Sequence, residues 1–446
     1  MDIIKNAILY FLGFKAYVML PVIIFIFAMI FRIKLETAIR SALTIGIGFV
    51  GIFMVFDYFA NLITPVVQAV VKNTGMNFNM VDLGWPSLAA LTWTFKLAPL
   101  MIPLIMIFNI ILLSLKLTKT VDIDIWNYWH FILVSAVVYN ITGSSILSIV
   151  SGLTTAAFIF KISDWSAPMV NKFSGLNGIC TPTLSSATYF PLGIIGDKII
   201  DKIPVINKID ANPEKIKQKL GLAGDPIIIG FIMGMLLGIG GGYSVKQISE
   251  LAFGMSAVIY ILPKMCEIVG VALLPISNGM KEFIQKHFPN LGETYIGLDI
   301  AIIIGQPAIV VTGILLMPVA LILAFLLPGV KFIPIGDLVN LMGSVALIVV
   351  ATKGNIVRSF ILGIPLVIIS LYTASNMGYF FTSLANNLNY KIPGCNGVFT
   401  SFLDGGNVLR FWIIKLFSGN LITVIFIPVV AAIVYFTRKF SYERNN

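Results

Sequence analysis

Two polar side chains stand out in this sequence as groups that can act on a small ligand. Asp299 lies in an otherwise apolar stretch, and His130 follows two tryptophans, Trp126 and Trp129. A carboxylate accepts hydrogen bonds from two hydroxyl groups at once, and either side chain can serve as a general base. The alternatives are that Asp299 caps a helix and that His130 belongs to an interfacial aromatic belt. We predict that both bind a ligand and that both are candidate general bases.

Two Gly-x-Pro motifs interrupt apolar sequence in the two halves of the chain. Trp85 and Pro86 belong to the first, within residues 79–95, and Gln306 belongs to the second, within residues 297–308. Irregular backbone survives in lipid only where it is buried in protein or lines a cavity. We therefore predict two re-entrant hairpins or broken helices whose tips present backbone groups to a ligand. The alternative is a pair of kinked helices with no ligand.

Three further residues are predicted to face the same cavity. Thr183 lies in the hydroxyl-rich segment 178–186, which we interpret as cavity-lining backbone, with an ordinary loop as the alternative. Gly343 and Ser344 correspond in the second half to His130 and its neighbour, because the motifs around them recur in the same order. They should therefore approach the ligand from the other half.

Asp124 and Asp337 each precede an asparagine by three residues, at matching places in the two halves. Helix capping is the favoured interpretation for both. The sequence contains no nucleotide-binding loop, dinucleotide fingerprint or zinc motif. Its three cysteines have neither the spacing of a disulfide framework nor that of a zinc site. We therefore expect no cofactor and no metal ion.

The elements that must position these residues are membrane helices. The chain has 446 residues, of which 58% are hydrophobic and 11% are charged, and its mean hydropathy is +0.96. In soluble proteins about a quarter of the residues are charged, so lipid must be the solvent for most of this chain. The formal charge of +10 does not indicate nucleic-acid binding, because the basic residues lie in short loops between apolar segments, as the positive-inside rule describes.

A membrane-spanning helix needs about 20 apolar residues. About eleven segments approach this length, at residues 12–31, 41–65, 96–115, 128–146, 147–162, 226–242, 250–273, 308–327, 338–352, 356–374 and 409–436. Every odd-numbered span is followed by a basic loop, which predicts an N-terminus outside the cell and a C-terminus in the cytoplasm. Lys331, Lys391 and Arg410 do not fit this pattern.

The motifs of the first half recur about five spans later, and an odd number of spans reverses the orientation of the second half. We predict an all-α polytopic membrane protein whose parts are a first repeat at 1–195, a cytoplasmic loop at 196–225, a second repeat at 226–405, and a last span with a cytoplasmic tail at 406–446. Inverted repeats are typical of carriers that bind their substrate near the membrane midplane, where the repeats meet.

Five motifs in this order resemble the galactitol-type enzyme IIC family of the bacterial phosphotransferase system. They are VDLGWP at 81–86, VDIDIWN at 121–127 with His130, IGLD at 296–299, LPG at 327–329 and PIGDL at 334–338. The family is related to the ascorbate-type enzyme IIC proteins. The resemblance implies a homodimer in the bacterial cell membrane, with a scaffold domain and an inverted-repeat core domain that moves as an elevator.

The resemblance also implies a function. Such a protein is the membrane translocation subunit that takes up a hexitol, with galactitol the favoured one, for phosphorylation by a phosphocysteine of a separate cytosolic IIB protein. No cysteine of this chain is then expected to carry the phosphoryl group. The resemblance places the sugar site near Trp85, Pro86, His130, Thr183, Asp299, Gly343 and Ser344.

This chain departs from the family at one position of the site. Members usually have Pro-His-Gly where this chain has Pro-Thr-Leu at 182–184. Thr183 therefore replaces an imidazole of the site, and the substrate could be a polyol or sugar other than galactitol. A rival hypothesis is an ion-coupled secondary transporter of a polyol or sugar, which inverted repeats and membrane-embedded acids fit equally well. The two hypotheses differ in the product, which is phosphorylated in the first and unmodified in the second.

Overall fold

The structure is a computed structural model that describes residues 14, 16–74, 78–204, 207, 209, 211, 213, 225–288, 291–390 and 397–445. Most of residues 205–224, which belong to the predicted cytoplasmic loop, lie outside the described residues, as do Lys391 and Cys395. The described chain is mainly helical, and its few strands are two or three residues long.

Capping residues mark several helix ends in the first half of the chain. Ser144 accepts a hydrogen bond from Leu147 N at the start of one helix, and Gly143 and Gly175 end two helices with φ of 67° and 75°. The elements of this half are α1 (Ala16–Ile30), α2 (Leu35–Thr74), β1 (Met80–Asp82), α3 (Gly84–Trp93), α4 (Ala98–Ser114), β2 (Thr120–Asp122), a 3-10 turn (Ile125–Asn127), α5 (Tyr128–Thr142), α6 (Ser145–Ser174), β3 (Ile179–Cys180), α7 (Leu184–Ala187) and α8 (Phe190–Ile200).

The second half uses the same capping chemistry. Asp225 and Asn355 accept hydrogen bonds from Ile227 N and Arg358 N at the starts of two helices. The elements of this half are α9 (Pro226–Gly240), α10 (Val245–His287), β4 (Tyr295–Gly297), α11 (Ala301–Ile304), α12 (Pro307–Leu326), a 3-10 turn (Leu338–Asn340), α13 (Leu341–Ala351), α14 (Ile356–Asn387), β5 (Val398–Thr400), α15 (Val408–Phe417), α16 (Leu421–Ile425) and α17 (Ile427–Asn445).

The order of elements recurs between the halves. Each half begins with a helix of 15 residues, α1 or α9, and continues with a long helix of 40 residues in α2 or 43 residues in α10. A strand, two hairpin helices, a 3-10 turn, a central helix, a second long helix and a further strand follow in both halves. The opposite membrane insertion of the two halves stays a prediction.

The short strands join the halves to each other. The strand β1 pairs in parallel with β5, so that Asp82 lies opposite Thr400, and β4 pairs in parallel with β2 and β3. The strand that precedes each hairpin is therefore held by a strand near the end of the other half. Such pairing satisfies backbone groups that could not be left open in lipid.

Six helices in the described part of the chain are long and apolar enough to cross a membrane, or up to seven if the bent pair α3–α4 counts as one span. This confirms an all-α, multi-pass membrane protein. The prediction of about eleven crossings is too high by this criterion, and Pro21–Ile30, Pro226–Gly240 and Leu338–Ala351 form shorter apolar helices. The helices α3 and α4 meet at an angle of 96°, within the region predicted to be a hairpin or broken helix.

Two features explain why the predicted spans and the helices differ. The helices α5 and α13 are buried in protein along most of their length, so apolar composition there reflects contact with neighbouring helices rather than with lipid. The predicted last span at 409–436 is divided between α15 and a candidate span at Leu421–Arg444, because the chain turns at Gly419 with φ of 80°.

Two groups of helices frame the site. The long helices α2 and α10 pack along each other, with Gly48 against Val269 and Gly51 against Met265, so small residues allow close approach. The second group surrounds the central helices α5 and α13, which pack against α6, α12 and α14. The hairpin ends lie between these groups, where residues of α2 and of the second group line a common cavity.

Candidate functional site

A cavity of about 230 Å³ lies between α2 and the hairpin ends. It is smaller than the roughly 300–1,000 Å³ of pockets for drug-sized ligands, which suits a small ligand. Seven of the eight predicted ligand-binding residues line it, namely Trp85, Pro86, His130, Thr183, Asp299, Gly343 and Ser344. Their role in binding stays a prediction, but the structure brings them together from both halves.

Gln306 lies elsewhere, in the wall of a different cavity beside α10. The first Gly-x-Pro motif begins α3 directly after β1, whereas the second follows α11 and begins α12. The predicted equivalence of the two Gly-x-Pro motifs is therefore wrong. The elements at matching places in the two halves are the strands β1 and β4, each of which precedes a hairpin.

Asp299 lies at the tip of the second hairpin, half-buried at the cavity. Its Oδ1 accepts a hydrogen bond from Ala301 N at 2.9 Å, and its Oδ2 accepts one from Thr183 Oγ1 at 3.2 Å. Asp299 thus bonds the backbone at the start of α11 and also lines the cavity, and its role in ligand binding stays a prediction. The bond to Ala301 fixes the carboxylate, and Oδ2 keeps lone pairs for a ligand hydroxyl.

Thr183 connects three parts of the site through one hydroxyl group. Its Oγ1 accepts from Ile300 N at 2.9 Å and lies 3.0 Å from Asn127 Oδ1. A hydroxyl has one proton to donate, so it donates either to Asn127 or to Asp299. Thr183 is almost completely buried, and it therefore positions the Asp299 carboxylate as well as lining the cavity.

His130 is held by a buried ion pair that the sequence analysis did not predict. Its Nδ1 lies 3.0 Å from Arg410 Nη2 and 3.2 Å from Asp404 Oδ1. Arg410 is completely buried, and it also donates to the Asp404 backbone oxygen. A guanidinium can only donate, so Nδ1 accepts from Arg410 when a neutral His130 carries its proton on Nε2, whereas a proton on Nδ1 would be donated to Asp404. With the proton on Nε2, His130 could only donate a hydrogen bond to a ligand through that atom.

A signal for this pair was present in the sequence. Asp404 and Arg410 lie in the largely apolar stretch 397–417, and opposite charges close together in a membrane segment usually mark a functional site. Arg410 was set aside as an exception to the charge pattern of the loops. It does not obey that pattern because it is a buried partner of the site.

Aromatic side chains form one wall of the cavity. The ring of Trp85 lies edge-on to Trp126 at 6.1 Å and 6.3 Å from the ring of Trp129. The Trp129 ring lies 4.0 Å from the ring of His130. An apolar wall beside a few convergent polar groups is the usual composition of a small-molecule site.

Asp82 anchors the first hairpin to the second half. Its carboxylate, which is 7% exposed, accepts hydrogen bonds from the backbone N–H groups of Gly84, Gly336, Asp337 and Phe402 at 2.9–3.2 Å. Four donors on one carboxylate fix its neighbours strongly, because hydrogen bonds to a charged acceptor are stronger than neutral ones.

The two predicted capping aspartates, Asp124 and Asp337, also accept hydrogen bonds from the backbone of the other half. Asp124 accepts from Trp126 N at 3.0 Å, which confirms its capping role, and it accepts from Asp299 N at 2.9 Å. Asp337 accepts from Trp85 N at 2.8 Å and makes no capping bond to the backbone of its own 3-10 turn. The capping prediction is therefore wrong for Asp337, which holds the start of α3 instead. Each hairpin tip is thus bound by an aspartate of the other half.

These features define the class of the protein. It is a multi-pass helical membrane protein that encloses an aromatic-walled cavity with a carboxylate, an imidazole and hydroxyl groups. In the part of the chain that the structure describes, no group of three His, Cys, Asp or Glu side chains is placed to hold a metal ion.

Comparison with known proteins is more specific. The family model for the PTS system sugar-specific permease component, EIIC-GAT, matches residues 10–394. The chain is 34% identical over 409 residues to the PTS system galactitol-specific EIIC component of Escherichia coli, in strain K12 and in O157:H7, with 92% of this chain and 90% of the relative covered.

A further relative in Escherichia coli strain K12 is named only as a permease IIC component, with no sugar in its name. It is 33% identical over 431 residues, which cover 96% of this chain and 98% of the relative. The chain therefore belongs to the EIIC-GAT family of PTS sugar-specific permease components. The resemblance to galactitol-type enzyme IIC proteins is confirmed.

Proposed function

We propose that this protein binds a hexitol, with galactitol as the first candidate, and carries it across the cell membrane for phosphorylation by a cytosolic IIB phosphocysteine. The observation that carries the proposal is the cavity in which Asp299, Thr183 and His130 converge beside three tryptophans. A linear polyol offers hydroxyl groups along one carbon chain. The cavity offers acceptors and donors on one side and an apolar aromatic wall on the other.

The arrangement assigns separate roles to the polar groups. The carboxylate of Asp299 accepts from a substrate hydroxyl, and Nε2–H of His130 donates to another. During phosphoryl transfer the substrate oxygen bonds to phosphorus as the sulfur–phosphorus bond of IIB breaks, and Asp299 is the base that takes the hydroxyl proton. Cys180 and Cys266 are buried, in line with a donor cysteine on the partner.

Transport in this proposal is an elevator motion within a homodimer. The α2–α10 group acts as scaffold, and the group around α5 and α13 carries the substrate. The recurring order of elements supports inverted repeats, which place a substrate where the two repeats meet. The N-terminus is outside and the C-terminus is cytoplasmic, as the charges of the loops predict. Phosphorylation traps the product, because a charged ester enters an apolar gate poorly.

Thr183 is expected to tune affinity for the hexitol. The Thr183→Val variant removes the acceptor for Ile300 N and the hydroxyl beside Asp299 Oδ2. A lost buried hydrogen bond costs about 1–3 kcal/mol, so equilibrium binding of labelled galactitol should weaken about 5-fold or more. Thr183→Ser keeps the hydroxyl and should bind within a few-fold of wild type. Equal affinities of the valine and serine variants would remove Thr183 from the site.

The experiment that tests the function is uptake of radiolabelled galactitol into vesicles, with and without phosphorylated IIA and IIB proteins. Accumulation of galactitol phosphate only in their presence supports the proposal. Uptake of another polyol but not of galactitol would retain the family and replace the substrate. Accumulation of unmodified galactitol on an ion gradient alone would replace the proposal with the secondary-transporter hypothesis.

A further inference from the structure

A second cavity, of about 360 Å³, lies between α10 and the break that separates α11 from α12. Glu267 of α10 faces this cavity, and Gln306 and Pro307 line it from the hairpin. It is distinct from the cavity around Asp299, although the four-residue helix α11 contributes residues to both. Ala301 and Ile304 face the first cavity, and Ile302 faces the second. One helical turn is therefore the partition between them.

The two cavities are lined by residues at corresponding positions of the two long helices, α2 and α10. The helices α2 and α10 begin 210 residues apart, at Leu35 and Val245. The first cavity is lined from α2 by Phe53, Phe56, Asp57, Ala60 and Thr64, together with Ile52. The residues 210 positions after the first five are Pro263, Cys266, Glu267, Gly270 and Leu274, and all five line the second cavity. The second cavity is thus the counterpart of the first in the other half of the molecule.

The matched pair that matters chemically is Asp57 and Glu267. Both lie in apolar helices that qualify as membrane spans, where a carboxylate costs about 2.5–3.5 kcal/mol on insertion scales. Both are exposed, and in the described part of the chain neither makes a hydrogen bond or an ion pair. Acids retained at such a cost usually face a substrate or ion pathway. Asp57 lines the first cavity and Glu267 lines the second.

The two carboxylates lie at different depths. The helices run antiparallel, because Gly48 contacts Val269 and Gly254 contacts Leu62. The level of Asp57 on α2 then corresponds to about residue 259 on α10. Glu267 is about eight residues further along, which is about 12 Å at 1.5 Å per residue. The cavities are therefore displaced along the helix pair, with Asp57 on one side and Glu267 on the other.

We propose that the cavity at Glu267 is a second polyol-binding subsite on the transport route, entered from the opposite side of the membrane to the Asp57 cavity. The proposal rests on the function proposed above. Glu267 accepts hydroxyl groups of the polyol, and the amide of Gln306 both donates and accepts. Lys281 and Lys286, near the C-terminal end of α10, orient this cavity to the cytoplasm. The elevator movement of the group around α5 and α13 then carries the polyol from the level of Asp57 to the level of Glu267.

The test separates binding from transport. Glu267→Gln should bind labelled galactitol in detergent within about 2-fold of wild type, because the Asp299 site is intact. Its phosphorylation-coupled uptake should fall at least about 10-fold. Glu250→Gln is the matched control, since Glu250 is an exposed acid on the same helix whose nearest ion-pair partner is Lys246 at 4.0 Å. This control should transport as wild type does.

Each other outcome decides against the subsite. Normal uptake by Glu267→Gln overturns the second subsite. A loss of galactitol affinity as large as that of an Asp299 variant also overturns it, because Glu267 would then belong to the first site. If Glu267→Gln does not fold, Glu267→Asp is measured instead. The proposal then requires that this variant folds and retains at least half of the wild-type uptake. Wild-type protein that binds no hexitol would instead refute the proposed function, and the two failures are thus distinguishable.

A labelling experiment tests the direction of access. Val271, which is 61% exposed, lines the second cavity. With the native cysteines replaced, Val271→Cys should react with an impermeant thiol reagent in inside-out vesicles, and galactitol should slow the reaction. Reaction only in right-side-out vesicles, or no protection by galactitol, would overturn the assigned cytoplasmic access.

Discussion

Replacement of Asp299 by asparagine should abolish most hexitol binding and uptake while leaving the fold intact. The amide keeps one acceptor for Ala301 N but removes the charge that strengthens bonds from substrate hydroxyls. Hydrogen bonds to charged groups contribute about 1.5–3 kcal/mol, so affinity should fall about 10- to 100-fold. The rate of phosphorylation should fall further, because the amide cannot take the hydroxyl proton.

The measurement is equilibrium binding of labelled galactitol together with phosphorylation-coupled uptake. Glu293→Gln is the control, because Glu293 lies just before the same hairpin, is exposed and forms a surface ion pair with Lys119 at 3.3 Å. Normal transport by Asp299→Asn would show that the site is misassigned. Loss of function with a lowered unfolding temperature would point to a structural role instead.

Replacement of Asp82 by alanine should have the largest effect on stability. Four backbone N–H groups, three of them in buried hydrogen bonds, would lose their acceptor, among them those of Gly336 and Phe402 from the second half. Each unsatisfied donor costs about 1 kcal/mol or more, so the free energy of unfolding should fall by about 4 kcal/mol. Thermal unfolding in detergent measures this.

Glu250→Ala provides the comparison for Asp82→Ala, because an exposed ion pair contributes about 0–1 kcal/mol. It should leave the unfolding midpoint nearly unchanged. An Asp82→Ala protein as stable as wild type would mean that the first hairpin is held by other contacts. A bound hexitol should partly restore its stability, since ligand binding favours the folded state.

Much of the site could be predicted because polar residues are conspicuous in apolar sequence. Asp299, His130 and Thr183 were identified in this way, and all three line one cavity. Gln306 was included with them because both halves contain a Gly-x-Pro motif. Such a motif can begin either the first or the second helix of a hairpin. The sequence alone does not show which of the two hairpin helices the motif begins.

Other features depend on contacts between distant residues. Arg410 lies 280 residues from His130, and only the folded chain shows that its charge is buried beside that ring. Strands of two or three residues, such as Ile179–Cys180, are too short to produce an alternating pattern. Apolar composition could not distinguish the protein-buried helix α13 from a helix that faces lipid, and α13 is among the helices too short for the length criterion of a membrane span.

The reciprocal strand pairing has a consequence for biosynthesis. The hydrogen bond from Phe402 N to Asp82 joins residues 320 positions apart, and β1 pairs with β5. At about 5–20 residues per second, the ribosome needs roughly 15–60 s to supply these partners. The first hairpin must therefore wait in the bilayer, with open backbone groups, until almost the whole chain has emerged. A nascent chain arrested before residue 397 should thus be a substrate for membrane quality control, and the candidate site is completed only as translation ends.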